Sequence, residues 1–262
     1  MFNFVLYSLM ILAAAGMLYG NNKFKSKGVA WGRPLAGACG VLALICALVI
    51  MWQFMTKDQK RIGGIIEKEL RYFDYKMQYL ANYLSTKYPS HKYLLITNQK
   101  TEYNAQRHDV MLAALKSLTI AKVHEVLPPE EMGPEAMGGA EMFLTADKFD
   151  QIIEDNPECT MVISTLGLPM DYQRMKFWRK KAAERPQLVL VDAYVWDLKK
   201  AIQVGAIAAV VQYKPDAEYK PNEDVPDNVD EAFTKRFILL TPENVEEMNK
   251  KYAGLFMEDA KK

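Results

Sequence analysis

Apolar residues are distributed along this chain in three regimes. Residues 1–20, MFNFVLYSLMILAAAGMLYG, and 35–55, LAGACGVLALICALVIMWQFM, are nearly unbroken apolar runs. Each approaches or meets the roughly 20 residues a helix needs to cross a hydrocarbon core. NNKFKSKGVAWGRP between them is short, polar and basic, so residues 1–56 read as a two-span transmembrane hairpin. Residues 57–89 form the second regime, a juxtamembrane helix that continues out of the second run and stops at Pro89. There Ile66, Leu70, Phe73, Met77, Leu80 and Leu84 recur at alternating steps of four and three, with Tyr72, Tyr75, Tyr79 and Tyr83 as a stripe beside them. That spacing fits both an amphipathic helix packed on its own domain and a dimer-forming stalk.

The third regime, residues 90–262, changes period. Strand-like apolar runs fall at 92–97, 119–127, 159–164, 187–192, 206–212 and 236–241. Helical patterns separate most of them, at about 104–117, 146–155, 171–184 and 194–204, with a last one at 243–252. Strict alternation of strand and helix predicts an α/β domain: a doubly wound, mostly parallel six-stranded sheet with helices on both faces. Thr145 and Thr241 are expected helix N-caps, the second followed by Pro242 at the first helical position. Two longer loops interrupt the alternation. Residues 128–142 are rich in Gly, Pro and Met, and residues 213–233 carry seven carboxylates against two lysines. The second lacks the ligand order of a calcium loop and reads as a solvated acidic segment.

Charge sharpens the division. Residues 1–55 hold four charged side chains, Lys23, Lys25, Lys27 and Arg33, whereas the remainder is dense in charge. A cleavable leader is the competing reading of the first run, with Ala13–Ala15 as its cleavage site, but no basic residue precedes the apolar core. The basic loop between the runs nearly matches the basic stretch after the second, so the first span decides: loop in the cytoplasm, both termini outside. A formal net charge of +1 gives no electrostatic reason to expect nucleic acid as a partner. Cys39 and Cys46, seven apart, suit packing inside the second run, and Cys159 stands alone. Neither a disulfide framework nor a zinc spacing is present.

Candidate chemistry follows from the sheet. In an open parallel sheet ligands bind beyond the carboxyl ends of the strands. That rule selects Thr97, Asn98 and Gln99 after the first strand, Arg107 on the next helix, and Ser164, Thr165 and Gly167 after the third strand. It also selects Asp192, Gln212 and Thr241 at the ends of the last three. These groups suit hydrogen bonding to a neutral polar ligand. There is no GxSxG elbow, P-loop or GxGxxG, so no catalytic machinery and no cofactor are expected. His91, His108 and His124 read as surface or satisfied core histidines.

Several stretches resemble a known family. YLLITNQKTEYNAQRHDVMLAAL is similar to the strand, Asn-containing loop and Arg-bearing helix of type I periplasmic sugar-binding and LacI-like domains. PQLVLVDAYVWDLKKAIQVGAIAAVVQYKP resembles that family's strand ending in Asp, helix, and Gly-to-Gln strand followed by proline. FILLTPENVEEM resembles its closing strand and helix. The resemblance covers about residues 90–256 and matches the C-terminal lobe alone. It implies that Arg107, Asp192 and Gln212 hydrogen-bond sugar hydroxyls, with Asn98 beside them. Where the family has Asn-Asp after the third strand of this lobe, this chain has STLGLPMD, and Thr165 takes the Asn position. The family also binds between two lobes, and too few residues precede 90 to build another.

Two functional expectations result. One is a non-catalytic, membrane-anchored module that binds or senses a small polar, sugar-like ligand at the bacterial inner membrane, its domain periplasmic and its missing lobe supplied by self-association or a partner protein. The other is a structural component of an envelope complex whose ligand site has decayed.

Overall fold

The computed structural model describes residues 2–27, 29–127, 140–218, 220 and 223–257, in two compact units, Met1–Glu67 and Lys68–Lys262. The first unit contains helix α1 (Phe2–Lys27) and the opening of helix α2 (Gly32–Lys87). Both helices are long and apolar enough to cross a membrane. Their side chains are mainly exposed, including Ile11, Leu12, Leu18, Leu44 and Trp52. They meet through small residues: a Cβ on Gly20 would lie 2.7 Å from the Gly32 carbonyl oxygen, and one on Gly32 would lie 2.6 Å from that of Gly20. Cys39 Sγ would stand 2.8 Å from a Cβ on Gly16. Such close backbone approach is how helices pack where apolar side chains gain nothing by leaving the surrounding lipid.

The second unit is built on strands β1 (Tyr93–Asn98), β2 (Ile120–Val126), β3 (Met161–Ser164), β4 (Gln187–Val191), β5 (Ile207–Tyr213) and β6 (Phe237–Leu240). Their order in the sheet is β2-β1-β3-β4-β5-β6; the first five run parallel and β6 runs antiparallel to β5. This is the expected six-stranded, mostly parallel α/β sheet. Apart from the partly exposed edge strand β2, its strands read as continuous apolar runs because both faces are covered. Along β1, Tyr93 and Leu95 enter one core while Leu94 and Ile96 enter the other. The first core is closed by the end of α2, by α3 (Ala105–Ala114) and by α6 (Val229–Arg236). The second is closed by α4 (Ala146–Glu154), α5 (Lys199–Gln203) and α7 (Val245–Lys251).

Most of the period-of-seven residues on α2 are accounted for inside this unit, although Ile66 falls in the first unit and is exposed. Phe73, Met77, Leu80 and Leu84 are buried against β1, β3, β4 and β5, with Tyr72 alongside, and Tyr79 stacks on Phe233 at 3.7 Å. The helix covers its own sheet.

Four local expectations need correction. Residues 171–184 form three short 3-10 turns, Tyr172–Arg174, Lys176–Arg179 and Ala182–Glu184, in place of one helix. The buried Asp150 carboxylate takes the Lys176 and Phe177 amides at 2.5 and 3.0 Å, drawing them out of helical bonding. The helix expected at 194–204 shrinks to α5, because Leu198 N–H turns back to the Val195 carbonyl and the Trp196 carbonyl accepts from Met257 N–H. α6 begins inside the segment read as an acidic loop and runs three residues past it, and Asn228 caps it by accepting from the Asp230 and Glu231 amides. Thr145 caps α4 as expected, but α7 starts only at Val245; Asn244 instead folds back, accepting from Thr241 N–H and donating to the Leu239 carbonyl. The Gly, Pro and Met segment lies largely outside the described residues, which lack 128–139.

Candidate functional site

Because β1 to β5 are parallel, their carboxyl ends share one edge. The strand order reverses beside β1: the chain steps outward to β2 and later strands add on the other side, from β3 on. Loops leaving β1 and β3 therefore part in opposite directions and leave a crevice, the usual ligand position in such sheets. A cleft of about 340 Å³ occupies this point. Thr97 and Asn98 reach it from β1, Arg107 and His108 from α3, Thr165 from the turn after β3, and Asp192 from the end of β4. Phe73 of α2 also lines it.

Asp192 organises the edge. Val191 before it packs in the α2-side core, so strict alternation would send the next side chain to the other face. Instead Asp192 adopts a φ of 56°, the only positive φ at a non-glycine residue among those described. Asp is one of the few residues that tolerate this left-handed conformation. The pleat ends there, and the carboxylate meets α2, where Lys76 Nζ donates to Oδ2 at 2.6 Å. The Lys76 side chain is 1% exposed and that of Asp192 29%. Three aromatic rings surround the ammonium, Phe73, Tyr213 and Phe237, with centroids 5.0–5.6 Å from Nζ. Burial pulls the Lys76 ammonium below the ordinary lysine range, the Asp192 carboxylate pulls it back up, and Arg107 adds slightly to the lowering.

Arg107 approaches the same Oδ2 at 3.7 Å, with its guanidinium over the Phe73 ring at 4.0 Å from the centroid. Opposite, the Thr165 hydroxyl donates to Thr97 Oγ1 at 3.0 Å. The α3 end of the cleft is fixed by Asn104, which accepts from Thr101 N–H and donates to the Gln99 carbonyl. His108 is buried, and neither ring nitrogen has a hydrogen-bond partner among the described residues. Nε2 lies 3.3 Å from Glu125 Oε1, near enough to feel its charge but without hydrogen-bond geometry.

The sequence-selected residues are thus partly gathered. Asn98, Arg107, Thr165 and Asp192 line one cleft, with Thr97. Gln212 lines a neighbouring hollow of about 460 Å³, which shares Asp192 and includes Tyr194 and Trp196. Gln99 enters through its backbone, and Ser164 is turned inward to donate to the Gly167 carbonyl. Thr241 does not belong here: β6 is antiparallel, so its carboxyl end lies at the opposite edge of the sheet, where Thr241 is buried. The expectation of a satisfied or surface histidine fails at His108. Lys76 was missed altogether, although a lysine between Phe73 and Met77 on an apolar stripe is a legible signal that a buried partner is needed. No three His, Cys, Asp or Glu side chains among the described residues gather as metal ligands.

No family model and no curated protein matches the sequence. Among solved structures the chain is similar to AraP, an arabinose-binding protein from Geobacillus stearothermophilus, at 14% identity, 67% of this chain, 63% of that chain and a TM-score of 0.42. It is similar to a sugar-binding protein of a sugar ABC transporter from Bacillus halodurans at 14% identity, covering 67% and 64%, with a TM-score of 0.42. A fructose-binding periplasmic domain of a hybrid two-component system gives 13% identity, 68% and 59% coverage and a TM-score of 0.43. The chain spans less than two thirds of each of these proteins.

Proposed function

We propose that the Lys68–Lys262 unit is a non-catalytic binding module for a small polar ligand, held at a membrane by the two N-terminal helices. The observation that carries this reading is the convergence of Asn98, Arg107, Thr165 and Asp192 on one cleft from separate segments at the strand-order switch point. Its volume, about 340 Å³, falls within the range of small-molecule sites. The groups offered are donors and acceptors without a nucleophile–base pair, which suits binding rather than turnover. A sugar-like ligand is favoured by the sequence resemblance. The apolar exposure of α1 and of the first part of α2 supports a bilayer as their partner, and the basic loop between them supports an extracytoplasmic domain.

The test is calorimetric titration of the full chain in lipid nanodiscs with a panel of monosaccharides and their derivatives. Binding by the wild type, lost when Asp192→Asn is combined with Gln212→Ala, is the expected result; absence of binding by folded protein refutes the module. Protease added to sealed inside-out and right-side-out vesicles reads the topology, with cleavage of the C-terminal unit expected from the extracytoplasmic side alone. One observation favours the second reading, a structural component of an envelope complex: Asp192 is already engaged by Lys76. The same titration separates the two.

A further inference from the structure

The charges lining the cleft do not balance, and the imbalance bears on the ligand's chemistry. Asp192, the carboxylate of the cleft, has its counter-ion beneath it: Lys76 Nζ sits 2.6 Å from Oδ2 in a nearly water-free position. Asp192 is thereby spent on its contact with Lys76 and presents an arriving ligand with a neutralised pair. Arg107 is then the charge left over. It reaches Oδ2 only at 3.7 Å, and its side chain is 60% exposed. Stacked on Phe73, a guanidinium keeps its N–H donors in its own plane, directed away from the ring, as a fork that matches a carboxylate. Nearby charges do not cancel it. Lys100 and Asp109 pair with each other at 2.5 Å, and Glu125, which does not line the cleft, stands beside His108.

His108, the next residue on α3, forms the wall beside that guanidinium. It is 7% exposed, lines the cleft, and has no hydrogen bond at either ring nitrogen among the described residues. Both nitrogens are enclosed, with Nε2 3.3 Å from Glu125 Oε1, so the ring walls the cleft and leaves Arg107 as the cation an occupant meets. Arg107 and His108 are adjacent on α3, and Thr97 and Thr165, joined through their hydroxyls, line the same cleft. We propose that the cleft selects a small hydroxylated carboxylic acid: the carboxylate docks on Arg107, and ligand hydroxyls meet Thr165 and Asp192. This rests on the cleft being a ligand site, and narrows the ligand from polar to anionic.

Matched pairs test it. The full chain in nanodiscs is titrated with glucuronate against glucose and with galacturonate against galactose, at low and high salt. A charge-assisted fork predicts that an acid binds about tenfold or more tightly than its neutral partner. Arg107→Gln, on an exposed side chain, should erase that preference, lowering affinity for the acid by about tenfold more than affinity for the neutral sugar. A neutral sugar that binds as well as its acid, or an Arg107→Gln protein with wild-type acid affinity, overturns the proposal and leaves the binding-module reading standing. Failure of all four sugars with folded protein overturns both.

Discussion

Removing Asp192 should cost far more stability than removing its partner Lys76. Losing one member of a buried ion pair costs about 3–5 kcal/mol when the other is left without compensation. In Asp192→Ala the stranded group is Lys76, 1% exposed, which cannot turn to solvent. Three rings at 5.0–5.6 Å offset part of that cost, at ~0.5–2 kcal/mol for a desolvated cation–π contact. The expected loss is therefore about 2–3 kcal/mol, just below the buried-pair range. In Lys76→Met the stranded group is Asp192, which keeps 29% exposure and the Arg107 guanidinium at 3.7 Å. A thioether also suits the space between Phe73, Tyr213 and Phe237, so this change should fall within about 1 kcal/mol of wild type.

The double variant should then resemble Lys76→Met, giving a coupling of about 2 kcal/mol in a double-mutant cycle. Urea unfolding of the full chain in micelles measures it, with Trp31 and Trp52 replaced by Phe so that fluorescence reports Trp178 and Trp196 of the second unit. Equal losses in the two single variants, or additive losses in the double, would refute the argument that the lysine is the desolvated member.

Three other outcomes follow from single sites. Gly167→Ala forces a side chain onto a φ of +70° and puts its Cβ 3.3 Å from that of Ala193, so thermal denaturation should show a loss of about 1–2 kcal/mol. Burial pushes the Tyr93 hydroxyl from 10.0 up to about 12, so its contribution is intact below pH 10 and is lost as pH rises toward 12. Tyr93→Phe should flatten that alkaline decline and, by losing the bond to the Tyr88 carbonyl, cost about 1 kcal/mol at neutral pH, both read from urea midpoints across the pH range. Gly20→Leu should separate α1 from α2, because the Gly32 carbonyl lies 2.7 Å from the new Cβ; spin labels flanking the crossing should report a longer distance, and an unchanged one would refute close packing there.

The sheet was legible because all its strands but the edge strand β2 are buried on both faces and therefore spelled as apolar runs; all six lie within one or two residues of their expected places. Helices were less legible wherever a tertiary bond outbid the local pattern. Asp150 pulls residues 176–177 out of a helix, and pairing with Met257 holds residue 196 out of another. α6 was overlooked because carboxylates dominated the reading of its segment, although Asn228 before Val229, Asp230 and Glu231 is a cap followed by an acidic first turn. The site divides similarly. Strand-end residues followed from topology, but Lys76 comes from outside the strand–helix alternation, and periodicity cannot say which strand end a distant helix will touch. The reversal of β6, which removes Thr241 from the site, is equally invisible to a pattern of apolar positions.

Where the folding unit begins is the most consequential of these lessons. The change of period places the α/β domain at residue 90, yet Tyr72, Phe73, Met77, Leu80 and Leu84 are buried in the same core as β1, β3, β4 and β5. Fully burying such side chains contributes about 1.5–3 kcal/mol each, so together they rival the 5–15 kcal/mol of net stability typical of a whole domain. A fragment starting at residue 90 would also leave Asp192 without Lys76 and uncover Val189, Val191 and Val211. We therefore expect residues 68–262 to give a soluble, cooperatively unfolding protein, and residues 90–262 to aggregate or remain molten, as judged by dispersed amide resonances and a single urea transition. Cooperative unfolding of the shorter fragment with unchanged midpoint would show that the end of α2 is merely draped on the sheet, and would remove the reason for regarding Lys76 as part of the site.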